Sequence, residues 1–484
     1  MNYRMIGRIL SQVLALEAVF MIPSMLLCLY DGQPEVALSY VATIGIIAAI
    51  ALVLWLTCRT AERRFYAREG MVSVAGCWIV MSLLGCLPFW FSGYIPSYVD
   101  ALFEIVSGFT TTGASILPSV EALPRGLLLW RSFTHWLGGM GVLVFLLVLV
   151  SGRGQNSGFT VHLLRAESPG PDVGKLVPHM RKTASVLYFM YLFLTILDIL
   201  FLLAGGMPLF EALCTAFGTA GTGGFGVKND SMAGYSPYLQ NVTTIFMLLF
   251  GVNFSCYYLL LLRQFKSVFR DEELRLYFGV VLASTAVICI DLRGVYHTLE
   301  ETVRHSAFQV ASIITTTGFA TTDFDLWPNL SRTILLCLMF VGACAGSTGG
   351  GIKCARVLLL VKSLRRNIRK TLYPQKVEAV WVNRHRVNEA VLDNANVYLA
   401  AYVLILAVSW IIISADGFSI VTNFSAVASC FNNIGPGLEL VGPTSNFSGY
   451  STLSKLVLTF DMLAGRLEIL PMLAVCSGST WRRK

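Results

Sequence analysis

The distribution of apolar residues along this 484-residue chain leaves few folds open to it. Apolar runs long enough for a helix to cross about 30 Å of hydrocarbon recur from one end of the chain to the other. Hydrophobic residues make up 55% of the chain and charged residues 13%, against about 25% charged residues in soluble domains. The sequence therefore predicts an all-α polytopic membrane protein. Its ten predicted spans cover roughly residues 6–29, 35–57, 71–93, 127–150, 183–205, 238–262, 275–291, 331–361, 396–414 and 453–476.

Basic residues concentrate in every second connection between these spans. By the positive-inside rule those connections face the cytoplasm, and an even number of spans leaves both termini inside. The net charge of +8 therefore follows from topology, and no aromatic-interleaved basic patch indicates a nucleic-acid partner. The basic groups are Arg59, Arg63, Arg64 and Arg68; Arg153, Lys175, Arg181 and Lys182; Arg263, Lys266 and Arg270; the segment Lys362 to Arg386; and, at the termini, Arg4, Arg8, Arg482, Arg483 and Lys484.

A short pattern recurs four times on the opposite side of the predicted membrane. Each copy has an apolar helix too short to cross, at 98–109, 208–217, 303–313 and 421–430, followed by a segment ending in glycine. The four glycines are separated by 108, 97 and 117 residues. This predicts two N-terminal helices in 1–70 and four repeats at 71–152, 153–270, 271–392 and 393–484, the third carrying the basic segment.

The segments after the short helices have the chemistry of an ion path. A helix that ends inside the membrane directs its partially negative C-terminus there, which favours a cation. Irregular backbone is tolerated at that depth where its carbonyls line an aqueous path, and glycine lets consecutive carbonyls turn toward one axis. One Thr-Thr-Thr-Gly alone is equally typical of a turn, but four copies favour a pore. The candidate ion-binding residues are Thr111, Thr112 and Gly113; Thr219, Ala220 and Gly221; Thr316, Thr317 and Gly318; and Asn433, Ile434 and Gly435.

The filter glycine of the second repeat is ambiguous, because Gly221, Gly223 and Gly224 are all available. The constant four-residue spacing from Phe217 favours Gly221. The fourth repeat has Asn432-Asn433-Ile434 in place of three threonines. Unequal quadrants with one glycine each predict looser discrimination against sodium than in a tetrameric potassium channel.

Two features are predicted to lie beneath the filter as a gate. The glycine-rich stretch Ala345 to Lys353 should break the eighth span, since each glycine in a helix costs about 1 kcal/mol relative to alanine; close helix packing is the alternative. Arg466 in the tenth span should face the pore and repel a cation by about 2 kcal/mol. Lys353 either anchors the stretch to a carboxylate or reaches the cytoplasmic interface. The candidate gate residues are Gly346, Gly349, Gly350, Gly351, Lys353 and Arg466.

The chain resembles the Trk/Ktr/HKT superfamily of potassium transporters, and within it the bacterial Trk-type proteins with two extra N-terminal helices. The resemblance covers the repeats from about 71 to 476. The segments that carry it are Ser107-Gly-Phe-Thr-Thr-Thr-Gly-Ala-Ser115, Ala311-Ser-Ile-Ile-Thr-Thr-Thr-Gly-Phe319, Ala345-Gly-Ser-Thr-Gly-Gly-Gly-Ile-Lys353 and Gly465-Arg466.

The resemblance implies potassium as the transported substrate, without a bound organic cofactor. It also implies a homodimer in which each protomer holds its own pore, embedded in the lipid of the bacterial inner membrane. A separate cytosolic nucleotide-binding subunit, TrkA-like, would regulate it. The basic segment 362–386 either docks that subunit or carries only topological charge.

The expected function is potassium uptake down the electrochemical gradient, under control of the gate. A sodium-permeating or cation-coupled relative is the alternative of the same class. A polytopic membrane enzyme would need clustered His, Asp, Glu or Ser groups on facing helices, and a receptor would leave four matched loops unexplained. Of the remaining polar residues, His135 and His305 are expected to be structural, Glu104 and Glu211 occupy matching positions in two short helices, and Asp198 is a buried acid.

Overall fold

The computed structural model describes residues 1–59, 66–141, 180–375 and 378–481. These residues are predominantly helical. In chain order the helices are α1 (Tyr3–Tyr30), α2 (Pro34–Thr57), α3 (Ala67–Gly85), α4 (Leu87–Phe91), α5 (Tyr98–Phe109), α6 (Arg125–Gly139), α7 (Met180–Ala204), α8 (Leu209–Gly221), α9 (Pro237–Phe250), α10 (Phe254–Leu261), α11 (Phe265–Phe269), α12 (Glu272–Asp291), α13 (Leu299–Ile314), α14 (Asn329–Val341), α15 (Cys354–Leu372), α16 (Glu389–Ile413), α17 (Ile420–Phe431), α18 (Thr452–Arg466), α19 (Leu470–Cys476) and α20 (Gly478–Trp481).

The described strands form one small antiparallel hairpin between α15 and α16. It joins β1 (Trp381–Val382) to β2 (His385–Arg386), with Trp381 opposite Arg386 and Val382 opposite His385. Left-handed backbone at Asn383 and Arg384 makes the tight turn. The hairpin lies in the basic segment of the third repeat.

Six helices of the described part are long and apolar enough to cross a membrane, or seven if α9 and α10 count as one bent span. Together they confirm the polytopic all-α fold. The helices α1 and α2 pack closely on each other, and α1 also contacts α3 and α6. The two extra N-terminal helices are therefore packed against the first repeat.

Four short helices, α5, α8, α13 and α17, are the pore helices of the four repeats. With 12 to 16 residues each, they are about 18–24 Å long and cannot cross the membrane. Side chains of Ser97, Thr298 and Ser419 accept hydrogen bonds from backbone amides and so cap three of them. The boundaries of α5 and α17 lie within one residue of the predicted ones, whereas α13 begins four residues earlier and α8 ends four residues later.

The four repeats close into a ring. Each pore helix packs on the helix that follows the pore loop in the preceding repeat: α8 on α6, α13 on α9, α17 on α14, and α5 on α18. The last of these contacts joins the fourth repeat to the first. Pseudo-four-fold symmetry therefore places the four loops that follow the pore helices around one axis.

The helices after the four pore loops all stop part-way along their predicted spans. The sequence predicted a break only at 345–353. The expectation of unbroken spans at 238–262 and 453–476 was therefore wrong. The predicted span 127–150 is helical to Gly139, and the described residues end at 141. The α9 and α10 axes meet at 88°. Residues 342–353 are irregular, and Glu468 and Ile469 have left-handed backbone after α18. These breaks leave backbone carbonyls inside the fold without their helical hydrogen-bond donors. Other groups of the site donate hydrogen bonds to several of these carbonyls.

Candidate ion pathway

The segments after three pore helices share one backbone conformation. A left-handed residue follows the helix, and the glycine two residues later is also left-handed: φ is 54° and 81° at Thr111 and Gly113, 58° and 85° at Thr316 and Gly318. At Asn433 and Gly435 the angles are 56° and 103°. The intervening amide donates back to the pore helix, as from Thr112 to the Ser107 carbonyl at 2.9 Å. Because Asn433 adopts the same conformation as the threonines, the fourth repeat keeps the loop geometry despite its different sequence.

The second repeat follows the same pattern three residues later than predicted. Its left-handed pair is Thr222, with φ of 54°, and Gly224, with φ of 78°, and Gly223 donates to the Gly218 carbonyl at 2.8 Å. Thr219, Ala220 and Gly221, predicted as the filter segment, are the last turn of α8. The equivalent of Gly113 is thus Gly224, and the choice of Gly221 from its spacing to Phe217 was wrong.

Gly221 has a different role, which explains the error. A Cβ built on Gly221 would lie 2.2 Å from the His135 carbonyl oxygen, so the missing side chain lets α8 pack directly on α6. The helix continues through Gly221. The run Gly221-Thr-Gly-Gly224 was the only signal in the sequence that a later glycine was available.

The four filter glycines meet in a closed ring. A Cβ on Gly113 would lie 2.0 Å from the Gly223 carbonyl oxygen, and one on Gly224 would lie 1.9 Å from that of Thr317. A Cβ on Gly318 would lie 2.0 Å from the Ile434 oxygen, and one on Gly435 would lie 2.9 Å from the Thr112 oxygen. Each glycine therefore makes room for the carbonyl that precedes the glycine of the next repeat. Only residues without a side chain allow four backbones to approach one another this closely.

His135 supports two of these quadrants from behind. The Phe225 amide donates to Nε2 at 3.3 Å, so Nδ1 carries the proton and donates to the Gly108 carbonyl at 2.8 Å. The ring is fully buried and packs on Phe225, with 4.1 Å between ring centroids. The expectation of a structural histidine is confirmed. His305 is structural as well, since Nδ1 pairs with the Thr321 hydroxyl at 2.9 Å and the ring stacks on Tyr296.

Glu104 braces the segment just after the first filter glycine. Its buried carboxylate accepts from Arg131 at 2.6 Å and from the Ile116 amide at 2.9 Å. When positions are counted back from Gly113 in the first repeat and from Gly224 in the second, the counterpart of Glu104 in α8 is Thr215. The expected equivalence of Glu104 with Glu211 was therefore wrong. Glu211 lies near the surface and accepts from the Tyr235 hydroxyl at 2.6 Å. Asp198 is fully buried in α7, as expected, and neither carboxyl oxygen has a hydrogen-bond partner among the described residues.

Beneath the filter, the broken helix ends of all four repeats meet in one hydrogen-bonded group. We call it the inner layer: Gly138–Gly139, Phe250–Gly251, Gly342–Lys353 (the gate loop) and Arg466. The gate loop is irregular, so close packing of a continuous helix is excluded as its role. It takes up carbonyls freed by the break after α9: the Cys344 amide donates to Gly251 at 3.1 Å and the Thr348 hydroxyl donates to Phe250 at 3.3 Å.

Arg466 joins the fourth repeat to the first and third. Its guanidinium donates to the Thr348 carbonyl at 2.7 Å, to the Gly139 carbonyl at 2.8 Å and to the Gly138 carbonyl. The Arg466 guanidinium thus lies at the C-terminal end of α6, where free carbonyls attract positive charge. The nearby Glu468 pairs with Arg356. Arg466 therefore contacts the gate loop directly. The sequence had predicted a position opposite the loop.

Lys353 belongs to the gate loop itself. It is 2% exposed, and its ammonium group donates to the Gly349 carbonyl. Both alternatives drawn from the sequence, a carboxylate anchor and a side chain reaching the interface, were wrong. The ammonium group instead connects one side of the loop to the other. The backbone of Lys353 is left-handed, with φ of 77°, and starts the turn into α15.

Glu273, which was not predicted from the sequence, holds the gate loop from the side of the β1–β2 hairpin. Its carboxylate accepts from the Ala345 amide. The preceding residues hold the β1–β2 turn: the Glu272 amide donates to the Asn383 side chain at 2.9 Å, and the Asn383 amide group donates to Asp271 at 3.1 Å. The three consecutive acids Asp271 to Glu273 therefore connect the β1–β2 hairpin to the gate loop. Their clustering at the start of a span was the available signal.

The pathway presents backbone carbonyls, hydroxyls and amides. Within the part of the chain that the structure describes, no cluster of three or more His, Cys, Asp or Glu side chains has the geometry of a metal site. Neutral oxygens arranged around an axis suit a weakly held monovalent cation that must also leave. The arrangement can replace an ion's hydration shell, and the inner layer can obstruct the way out.

Comparison with known proteins identifies the family of this chain. The sequence profile of TrkH, described as a cation transport protein, matches residues 38–482. The chain belongs to the TrkH family. It is 34% identical to the Trk system potassium uptake protein TrkH of Salmonella typhimurium, with all of both chains covered, and 31% identical to TrkG of Escherichia coli K12, with 99% of each covered. The crystal structure of the potassium transporter TrkH from Vibrio parahaemolyticus matches all of both chains with a TM-score of 0.89 at 31% identity.

Membership of the TrkH family makes the chain a membrane transport protein and not an enzyme. The relatives are named for transport. The all-α architecture expected from the hydropathy pattern agrees with the TrkH fold.

Proposed function

We propose that this protein takes up potassium ions across the bacterial inner membrane through the ring formed by its four filter loops. The closed ring of Gly113, Gly224, Gly318 and Gly435 carries the proposal, because it brings carbonyls of all four repeats to one axis. Relatives spanning the whole chain are named as potassium uptake proteins. Uptake would follow the membrane potential, since moving one charge through 100 mV contributes about 2.3 kcal/mol.

The ion-binding groups of the proposal follow the observed loop positions. In the second repeat they are Thr222, Gly223 and Gly224; the other repeats keep their predicted residues. Ile434 and Asn433 make the fourth quadrant unlike the rest, so discrimination against sodium should be looser than in a symmetric filter. The proposed repeats keep the boundaries predicted from the sequence.

The inner layer is proposed as the gate. Hydrogen bonds connect the gate loop to the second, third and fourth repeats, and Arg466 extends the connection to the first. A guanidinium at about 8 Å from a passing cation, at an effective dielectric near 20, repels it by about 2 kcal/mol. The closed arrangement therefore opposes exit to the cytoplasm through both sterics and charge.

A cytosolic, TrkA-like nucleotide-binding subunit is proposed to open this gate, docking on the basic segment 362–386 of a homodimer. Two contacts support the choice of that segment. Its first helix, α15, begins directly after the gate loop, and its hairpin is held by Asp271 and Glu272 next to the residue that holds the loop. A force on the hairpin would therefore act on the gate loop through both connections.

Rubidium uptake by the purified protein in liposomes tests the proposal. Uptake above that of protein-free liposomes, inhibited by potassium more strongly than by sodium, is expected. Uptake equal to that of protein-free liposomes would contradict a transport role. Stepwise currents far above about 10⁶ ions per second would distinguish a channel from a coupled carrier, whose conformational cycle takes microseconds to milliseconds.

A further inference from the structure

The gate loop does not merely lie beneath the filter but is hydrogen-bonded to it. The Gly350 amide donates to the Thr316 hydroxyl oxygen at 2.6 Å, and the Gly351 amide donates to the Asn432 carbonyl at 3.1 Å. Thr316 and Asn432 are fully buried. Thr316 is the left-handed residue two positions before Gly318, so the loop contacts the inner end of the third filter segment.

The glycines of the loop make this contact possible. A Cβ on Gly350 would lie 2.4 Å from the Asn432 carbonyl oxygen, and one on Gly349 would lie 2.9 Å from the Thr315 carbonyl oxygen. Neither glycine needs left-handed backbone, since neither has a positive φ. Close approach to the filter is therefore the physical reason for glycine at Gly350, whereas a Cβ on Gly349 would first meet the Ala343 Cβ of the same loop at 2.6 Å.

The contact distinguishes the third quadrant from the others. The residues equivalent to Thr316 are Thr111, Thr222 and Asn433. The Thr222 hydroxyl donates to the neighbouring Gly221 carbonyl at 2.6 Å, and the Asn433 amide group donates to Thr112 and Met462. The Thr111 hydroxyl has no hydrogen-bond partner among the described residues. In the part of the chain that the structure describes, the gate loop thus hydrogen-bonds to the side chain of one of the four.

We propose that Thr316 is a positioning residue that couples the gate loop to the filter, so that loop position and ion occupancy at the inner end of the filter exclude each other. This rests on the proposed filter and gate. With the loop seated, the Gly350 amide hydrogen engages one lone pair of the Thr316 oxygen, and its partial positive charge opposes a cation at that oxygen. When the loop leaves, that oxygen becomes available to a cation. By linkage, a cation that binds better with the loop displaced also favours the displaced loop.

The chain offers a matched control for this proposal. Thr316→Val removes the hydroxyl acceptor and keeps a β-branched side chain at φ of 58°. Thr111→Val makes the same change at φ of 54°, where the hydroxyl has no hydrogen-bond partner among the described residues. Both variants remove one oxygen from the inner end of the filter. Their difference therefore reports the loop contact alone.

Rubidium uptake and the potassium-to-sodium permeability ratio of the purified variants in liposomes provide the test. We expect uptake without the regulator to be about fivefold higher for Thr316→Val than for Thr111→Val, which equals about 1 kcal/mol at 25 °C. Raising potassium should activate wild type and Thr111→Val but should no longer increase the open fraction of Thr316→Val. Thr316→Ser, which keeps the hydroxyl acceptor of the loop contact, should restore the low unregulated uptake that Thr316→Val loses. Should the valine pair not fold, Thr316→Ala and Thr111→Ala give the same comparison.

The outcomes separate this proposal from the function beneath it. Equal uptake by the two valine variants, together with an altered permeability ratio in both, would overturn the coupling and leave the filter in place. Loss of regulation in both variants alike would also overturn it. Transport with unchanged permeability ratios in both, together with unchanged ratios in the filter-glycine variants, would show that the filter itself is misassigned.

Discussion

Replacing Gly113 by alanine should reduce potassium selectivity through a carbonyl of the neighbouring repeat. The new Cβ would lie 2.0 Å from the Gly223 carbonyl oxygen, whereas ordinary contacts begin near 3.4 Å, so the two groups must separate by more than 1 Å. That movement turns an oxygen of the second quadrant away from the axis. A hydrogen bond to a charged group contributes about 1.5–3 kcal/mol, and we take a similar value for one carbonyl ligand. Because about 1.4 kcal/mol is a factor of ten, the potassium-to-sodium permeability ratio should fall about tenfold or more.

Gly93→Ala is the control for this prediction. Gly93 has φ of 75°, close to the 81° of Gly113, but a Cβ on it would meet no atom within 4 Å. Both variants therefore carry the strain of alanine in left-handed backbone, about 1–2 kcal/mol, and only one disturbs the ring.

The assay is the reversal potential of reconstituted protein, or competition of sodium with rubidium uptake, in both variants at matched protein levels. Gly93→Ala should keep the wild-type ratio, and Gly318→Ser should lower it as Gly113→Ala does, since its Cβ would lie 2.0 Å from the Ile434 oxygen. Wild-type ratios in Gly113→Ala and Gly318→Ser, with normal folding, would refute the assignment of the ring as the filter.

Three further predictions concern the inner layer and its cytoplasmic connections. Deleting Gly346–Gly351 should raise rubidium uptake and reduce its dependence on the regulator. Arg466→Ala should raise uptake by up to about thirtyfold if its barrier of about 2 kcal/mol limits flow. Because Arg466 bonds to the loop, the combined effect should be less than additive, and full additivity would contradict a shared gate. Glu273→Gln should weaken the hydrogen bond to the loop and raise unregulated uptake about fivefold, for a loss of about 1 kcal/mol. Glu272→Gln is the control, since the carboxylate of Glu272 pairs with Lys362. Equal effects of the two variants would contradict a specific role of Glu273. Neutralising the exposed arginines of segment 362–386 should weaken regulator binding measured by co-purification or titration, and unchanged binding would leave that segment with topological charge only.

The sequence alone was enough to place the chain in a membrane and to find its four short helices. Hydropathy depends on each residue's own transfer free energy, and a helix such as α5 is determined by its apolar face and its cap at Ser97. The left-handed glycines of three candidate filter segments, Gly113, Gly318 and Gly435, were also predictable, since left-handed backbone favours glycine.

The second filter segment shows where local reasoning stops. A four-residue spacing from Phe217 points to Gly221, but Gly221 is a helical residue packed on His135, and the left-handed glycine of the loop is Gly224. No property of residues 217–224 alone decides between the two, because the deciding contact lies in α6.

The inner layer was decided almost entirely by tertiary structure. Arg466 bonds to Gly138 and Gly139 across more than 300 residues, Glu273 reaches Ala345, and Thr316 accepts from Gly350. Each of these groups is polar and buried, and a buried polar group must find a partner wherever the fold brings one. The sequence could identify the residues whose burial would be expensive, an arginine within a span and a glycine-rich break, because that expense is local. Which partners satisfy them depends on how four repeats close around one axis, and only the assembled fold contains that information.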